Sequence, residues 1–589
     1  MIESETPDLA YLFKHAVTQE VAYNLMLYSQ RRQLHQAVAE WIETSYEHEI
    51  ASYYALLAYH WIRAADEPNP AQREKVVRKA VDYLEKAGDQ SLNNFANTEA
   101  VQFFSDLLRF KEDVKPSRLQ LGQWYHKLAM SYLGLGKLNE AKGNFLKALE
   151  MLGQRVPASG LGMISGLLLE LGRQTSHRLF PRIHRNRVTD PEEEAIRLEI
   201  VQILQHYATV LFLIGDPNPL PMFHSVVTGL NTAESIKDTP ELAYMYAQMG
   251  AICGFIPARG QAKHYTEQWR VLNERFYNTN YFVSSVIALA TVQSGIGEWK
   301  ELQTSLEEVI KICNNLGDNR QAGEAMSFLA SNAVMEGNVR LVGRYNLRLW
   351  ENALRRHNPV QAVWHDEWAT STALRLGKLE EALESVKRAL KVMEITPVGE
   401  MSAFNIYALH VETLWRTGQR ETALKEADSL LQKAAKMQVV DCGVYIGFFH
   451  LMDVIFLELE QVHLKNGSQA EKDELMKWAR LCVKIIKSFS RVFTIGETTL
   501  YRYNGWIEWY SGKKEKAYQS WRTACKKAHT IPMYYEEGMS YLALANHLPA
   551  ENPERAASFE KAKAAFVRGG FENWVEIVQT AQGRPIGHE

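Results

Sequence analysis

Apolar positions along this chain recur at helical spacing, and the helices they predict come in pairs. The clearest pair runs from Tyr125 to Leu149. Tyr125, Leu128, Ala129 and Tyr132 share one face of a first helix. Gly136 and Lys137 supply a turn, and Ala141, Phe145 and Ala148 share one face of a second helix. Small residues at Ala129 and Ala141 let the two helices approach, while Tyr132 and Phe145 fill the space beside that contact. The register of Ala141 recurs at Ala100, Ala262, Leu302, Val342, Ala382, Ala423, Ala517 and Ala557, with successive differences of 41, 121, 40, 40, 40, 41, 94 and 40. The largest difference is three periods of about 40, and the 94 is two slightly longer ones. Turn glycines keep the same beat at Gly297, Gly337, Gly377, Gly418 and Gly512.

This order of large and small residues resembles the tetratricopeptide repeat, whose unit of about 34 residues is roughly six shorter. A helical hairpin of this kind cannot bury its apolar face alone, so it stacks on neighbours. The expected fold is therefore all-α: a right-handed solenoid of tetratricopeptide-like helical hairpins with a period of about 40 residues. Helix is expected from about Thr18 to Gln582, with no sheet.

Composition narrows the class. Of 589 residues 46% are hydrophobic and 23% charged, an ordinary soluble balance. The net charge of -3 argues against a general nucleic-acid binder, which shows a basic excess. Five widely spaced cysteines (Cys253, Cys313, Cys442, Cys482, Cys525) form no CxxC and suit reduced, buried thiols in a cytoplasmic protein. The first residues, MIESETPDLAYLF, lack the basic region and apolar core of a signal peptide.

In residues 1–60, Thr18 can cap a helix, and Val21, Leu25, Tyr28, Leu34, Val38 and Ile42 form an apolar stripe broken near Ser29. Arg31, Arg32 and His35 cluster on the polar side. The runs Tyr11-Leu12-Phe13-Lys14-His15, Gln19-Glu20-Val21-Ala22-Tyr23, Arg31-Arg32-Gln33-Leu34-His35 and Ala39-Glu40 together resemble a junction in class III adenylate/guanylate cyclases of the soluble adenylyl cyclase type and related AAA/STAND signalling ATPases. The resemblance is specific over residues 8–275 and architectural afterwards. It implies that residues 1–60 close a winged-helix-like, NTPase-associated segment. It also implies a module interface at Tyr23, Arg31, Arg32 and His35, and that the chain corresponds to the C-terminal part of such a protein. Next come repeats in 61–150, in which Pro68 and Pro70 break a helix, an insertion in 151–195, and a repeat solenoid over 196–589.

The insertion opens with Gly160, Gly162 and Gly166, continues through Ile164, Leu167, Leu168 and Leu171, and turns basic at Arg173, His177, Arg178, Arg182, His184, Arg185 and Arg187. A phosphate-binding loop, a membrane-surface contact through 161–187 and a packed inter-repeat insertion compete. No GxxxxGK[ST] supports the first, and the packed insertion is expected over the membrane contact.

In this repeat class the first helix of each hairpin lines the concave side. That register places Trp364, Glu367, Ser371, Asn405, Glu412, Trp415, Arg502, Trp506 and Trp509 in a groove, where aromatic and Arg side chains carry binding energy. The competing reading has these rings packing between helices. No HExxH, GxSxG or Walker A motif is present, so neither catalytic residues, a metal nor a cofactor is expected. The expected function is a non-catalytic regulatory or scaffolding region of a cyclase- or ATPase-type signalling protein, contacting a protein partner or an upstream NTPase/cyclase module. The alternative is a small-ligand sensor.

Overall fold

The structure is a computed structural model. It describes all residues except 1, 5–9, 12–15, 67–68, 158–159, 185–187, 216–217, 257–258, 277–279, 357, 438, 440 and 584–589. The 12–15 part of the N-terminal run, Pro68, Arg185, Arg187 and the final tail therefore lie outside the described residues, as does the Arg182 side chain. The chain forms two compact units, residues 1–156 with 190–210, and residues 157–189 with 211–589.

The first unit begins with a small antiparallel ribbon, Ile2–Ser4 against Ala10–Tyr11. This is a departure from the expected absence of sheet; from Ala16 onward every described regular element is helical. Thr18 lies inside the helix Ala16–Leu25 rather than capping it, and the break falls at Met26 and Leu27, before Tyr28–Ser45. Pro70 opens Pro70–Asn93, where its fixed φ and missing N–H are tolerated.

The hairpin Arg118–Gly134 with Leu138–Met151 has the predicted contact, with Ala129, Ala141, Phe145 and Ala148 fully buried. Gly136 takes a left-handed φ of 72° at its turn. The first helix is rotated slightly from the expected face. Trp124 is fully buried, whereas Tyr125 and Tyr132 are half-buried.

The second unit stacks helical hairpins in two layers. Outer helices such as Trp299–Leu316, Val339–Arg356 and Leu379–Met393 bury one stripe, as amphipathic helices do. Leu302, Val342, Ala382, Ala423 and Ala517 lie in such stripes. The register slips at Ala262, which is half-buried, and at Ala557, which is exposed while Ser558 is buried. The 94-residue interval holds an extra hairpin of long helices, Tyr445–Leu464 and Gln469–Val492.

Inner helices are buried nearly all round. In Pro240–Phe255, Asn319–Glu336 and Tyr445–Leu464, polar and apolar positions alike lie in the interior. Contacts between stretches about 200 residues apart help to close this interior. Ile495 donates its N–H to the Gly295 carbonyl at 3.2 Å. A Cβ on Gly337, whose φ is 74°, would sit 2.7 Å from the Tyr535 nitrogen. The segment Cys442–Leu464 is long and apolar enough to cross a membrane by composition, but it is a core helix here, 89% of its most apolar window being buried.

The helix Gly160–Leu179 of the insertion packs on Leu220–Ala233. Asn231 donates to the Glu170 carboxylate at 2.8 Å and to its backbone carbonyl at 2.9 Å. Leu161, Leu168 and Leu169 stay exposed on the other side.

Candidate functional site

Two sets of sequence-predicted residues have very different surroundings. The N-terminal set, Tyr23, Arg31, Arg32 and His35, does come together in the first unit. Tyr23 Oη lies 2.8 Å from His35 Nε2, and His35 Nδ1 lies 2.8 Å from His60 Nδ1. Two facing imidazole nitrogens at that distance share one proton, so the pair cannot be doubly charged and keep this bond. Burial, then His60 and Arg63, lower the His35 pKa to about 4. Arg31 stacks over the rings of Tyr23 at 4.9 Å and Tyr28 at 5.2 Å, and its Nε donates to the Met26 carbonyl at 3.0 Å. Arg32 donates to the Asp66 carbonyl at 3.3 Å. The Tyr23 and Arg31 bonds fix the bend between Ala16–Leu25 and Tyr28–Ser45, while His60 and the Asp66 carbonyl tie the second helix to the Tyr54–Ala64 region.

Apolar side chains are exposed on both sides of that bend. Val17, Val21, Leu25, Leu27 and Tyr28 are 70%, 52%, 80%, 68% and 85% exposed. Residues 17–25 include no buried position, though Val17, Val21 and Leu25 recur at the spacing of one helix face. Leu34 and Trp41 extend the exposed apolar surface along the next helix.

The groove set requires a correction. Glu367, Ser371, Asn405, Glu412 and Arg502 face inward as the register predicted, but the inner face is closed, and all five are buried. Asn405 donates to Glu367 at 2.6 Å and accepts from the Gly447 N–H at 2.9 Å. Burial drives the Glu367 carboxyl up to about 8, with Asp441 adding to the rise and Asn405 opposing it. Arg502 donates to Glu536 at 2.9 Å and stacks over Tyr503 at 4.3 Å. Trp364, Trp415, Trp506 and Trp509 are half-buried. Trp415 donates to Glu458 at 2.7 Å, and Trp506 and Trp509 pack around Trp521 and His547. Inner-helix packing, which a nearest-neighbour repeat pattern does not encode, takes up the space of the expected groove.

Within this interior lies an arrangement that sequence motifs missed. Ser371 Oγ is 2.7 Å from His450 Nε2, and His450 Nδ1 is 2.5 Å from Glu412, which also takes the Arg416 guanidinium at 2.5 Å. Burial pushes the Glu412 carboxyl up, but Arg416 and His450 outweigh it and hold the group below its ordinary value. The bonds are those of a Ser–His–acid relay in the chain order Ser, Glu, His. Ser371, Glu412 and His450 are at most 1% exposed. Ser371 also sits inside the helix Pro359–Arg375, far from a strand-to-helix nucleophile elbow. As arranged, the relay ties three inner helices together, with its side chains shut off from solvent. All five cysteines are buried and unpaired, and no group of three or more His, Cys, Asp or Glu among the described residues is placed to hold a metal ion.

No family model and no curated protein matches this chain. Solved structures that resemble it are helical-repeat proteins. The Cut9-Hcn1 hetero-tetramer of the APC/C aligns at TM-score 0.37 and 10% identity, over 86% of this chain and 91% of that one. Human IFIT1 with PPP-AAAA aligns at 0.33 and 14%, over 68% and 95%. Yeast Tom70 aligns at 0.24 and 13%, over 86% and 100%. Likenesses this weak carry no argument about function. The stacked hairpins themselves define the class, a tetratricopeptide-like helical-repeat protein.

Proposed function

We propose that this chain is a non-catalytic, cytoplasmic helical-repeat scaffold of a signalling protein, and that a P-loop NTPase or cyclase module docks on its N-terminal face. One observation carries this reading: Val17, Val21 and Leu25 are exposed on a helix whose residues 17–25 include no buried position, and Leu27 and Tyr28 are exposed immediately after it. A contiguous exposed apolar patch beside polar groups is how interaction surfaces present themselves. Tyr23, Arg31, Arg32 and His35 supply the polar edge, and Tyr23, Arg31 and His35 hold the bend beside these apolar residues. The occupant is proposed from the resemblance of residues 11–40 to the junction of class III cyclases and related ATPases. The hairpins then serve as the scaffold that holds protein partners of that module.

The test is co-purification of the full chain with a P-loop NTPase module of the resembled class, wild type against the double variant Leu25→Glu, Tyr28→Glu. Both positions are exposed, so the variant is expected to fold as the wild type does. Capture by the wild type and its loss in the variant is the expected result. Equal capture by both, or none by the wild type, contradicts the reading.

A further inference from the structure

The second unit contains a cleft of about 530 Å³ at the C-terminal end of the insertion helix Gly160–Leu179. His177, Arg178, His184, Glu234, Tyr246 and His264 form much of its wall. Its volume is in the range of small-molecule sites.

The polar groups of this wall are unevenly distributed. Glu234 is the carboxylate among the described lining residues, and both of its oxygens are engaged. Oε2 is 2.8 Å from His177 Nδ1, and Oε1 accepts from the Tyr246 hydroxyl at 2.8 Å. Glu234 therefore orients two other groups of the wall, with its charge turned toward His177 and Tyr246. His177 stacks on His184 with ring centres 4.3 Å apart and planes 16° apart, and His184 Nε2 is 2.9 Å from Ser176 Oγ. Arg178 is anchored by a bond to Gln261 and lies 5.7 Å from the centre of the Tyr265 ring. A guanidinium has five N–H donors, of which one nitrogen here goes to Gln261. His264 stands edge-on to the same ring at 5.1 Å.

The wall thus brings together three imidazoles and a guanidinium around a carboxylate that is already satisfied. Burial and the neighbouring Arg178 lower the His264 pKa, so Arg178 supplies the positive charge and His264 a neutral N–H donor, a set that suits a ligand rich in acceptor oxygens. A metal is disfavoured by the geometry, since these histidines do not converge as ligands. We propose that this cleft binds a small anionic ligand carrying phosphate groups, with Arg178 and His264 as direct contacts and Glu234 positioning His177. Leu179, Phe180 and Ile183 are 68%, 55% and 60% exposed beside it. Phosphate on a soluble ester and phosphate on a lipid headgroup are both compatible with that edge. The proposal is independent of the scaffold reading and of the N-terminal face.

The test uses the full chain and two probes at fixed ionic strength. Inorganic pyrophosphate is titrated calorimetrically, and phosphatidylcholine vesicles with and without phosphatidylinositol bisphosphate are tested by co-sedimentation. Arg178→Gln and His264→Gln are compared with the wild type and with Arg522→Gln, a change at a surface ion pair elsewhere. Saturable binding that falls roughly ten- to hundredfold in Arg178→Gln, falls in His264→Gln and is unchanged in Arg522→Gln supports the proposal. Binding of pyrophosphate identifies a soluble phosphate ester, and binding confined to the phosphoinositide vesicles identifies a headgroup. Melting curves establish that the variants are folded. The proposal is overturned by an absence of saturable binding to either probe, or by binding that Arg178→Gln and His264→Gln leave unchanged.

Discussion

Trp574 donates its indole N–H to the backbone carbonyl of Arg375 at 2.8 Å, across 199 residues of sequence. Asn573 reaches the same carbonyl at 3.2 Å. With the Ile495–Gly295 bond and the approach of Gly337 to Tyr535, this makes a seam along the turns of the hairpins in 280–377. The second unit is therefore held by distant contacts as well as by neighbouring repeats.

The seam predicts an inverted glycine effect. Alanine in a helix is ordinarily favoured over glycine by about 1 kcal/mol. At Gly295, however, an added Cβ collides with the fully buried Phe493 ring. Overpacking of this kind costs about 1–3 kcal/mol, so Gly295→Ala is expected to lower the urea midpoint. Gly343→Ala, where a Cβ meets nothing within 4 Å, is expected to raise it. Urea unfolding of both variants checks the pair of signs.

The tryptophans are expected to behave as packing groups. Trp509→Ala removes a ring packed on Trp521, Tyr518 and His547, and is expected to cost about 3 kcal/mol of stability. Trp415→Ala removes the indole donor to Glu458, whose carboxylate keeps Arg420, and is expected to cost about 2 kcal/mol. Denaturant unfolding measures both, and a selective loss of partner binding at full stability would restore the groove as an open site.

The repeat beat was legible because each hairpin needs a turn that only a left-handed residue closes easily. Gly297, Gly337, Gly377, Gly418 and Gly512 all have positive φ, from 73° to 91°. The inward direction of Glu367, Ser371, Asn405, Glu412 and Arg502 was legible too, because helical period fixes which residues share a face. What covers that face was not. Periodicity specifies neighbours in the stack, whereas Trp574 meeting Arg375 depends on how far the hairpins turn per repeat. The Ser371–His450–Glu412 relay was hidden for the same reason, its members lying on three different hairpins.

Acid should loosen the N-terminal bend. The His35 pKa is lowered from 6.5 to about 4, first by burial and then by His60 and Arg63. Between those values the unfolded segment binds more protons than the folded one, so stability rises with pH. The contribution is fully present above pH 6.5 and is lost as pH falls to about 4. Hydrogen exchange in Tyr28–Ser45 and Tyr54–Ala64 is expected to speed up over that window relative to the remaining helices. His35→Asn is expected to flatten the dependence.

Glu367 predicts the opposite sign. Burial raises its pKa from 4.5 to about 8, so the folded state holds the extra proton. Its contribution is fully present below pH 4.5 and declines as pH rises to about 8. Glu367→Gln preserves the neutral shape, so the variant is expected to gain stability relative to wild type at pH 8 and to differ little from it at pH 5. Melting at the two pH values checks the change in difference.

On the function proposed above, the face built on Val17, Val21, Leu25 and Tyr28 receives an NTPase or cyclase module. Hydrogen exchange followed by mass spectrometry, on the full chain with and without a purified P-loop module of the resembled class, tests it most directly. Slowed exchange is expected across Ala16–Leu25 and Tyr28–Ser45, with the inner helices Pro359–Arg375 and Glu400–Arg416 unchanged. Unchanged exchange at the N-terminal helices, or protection confined to the inner helices, would contradict it.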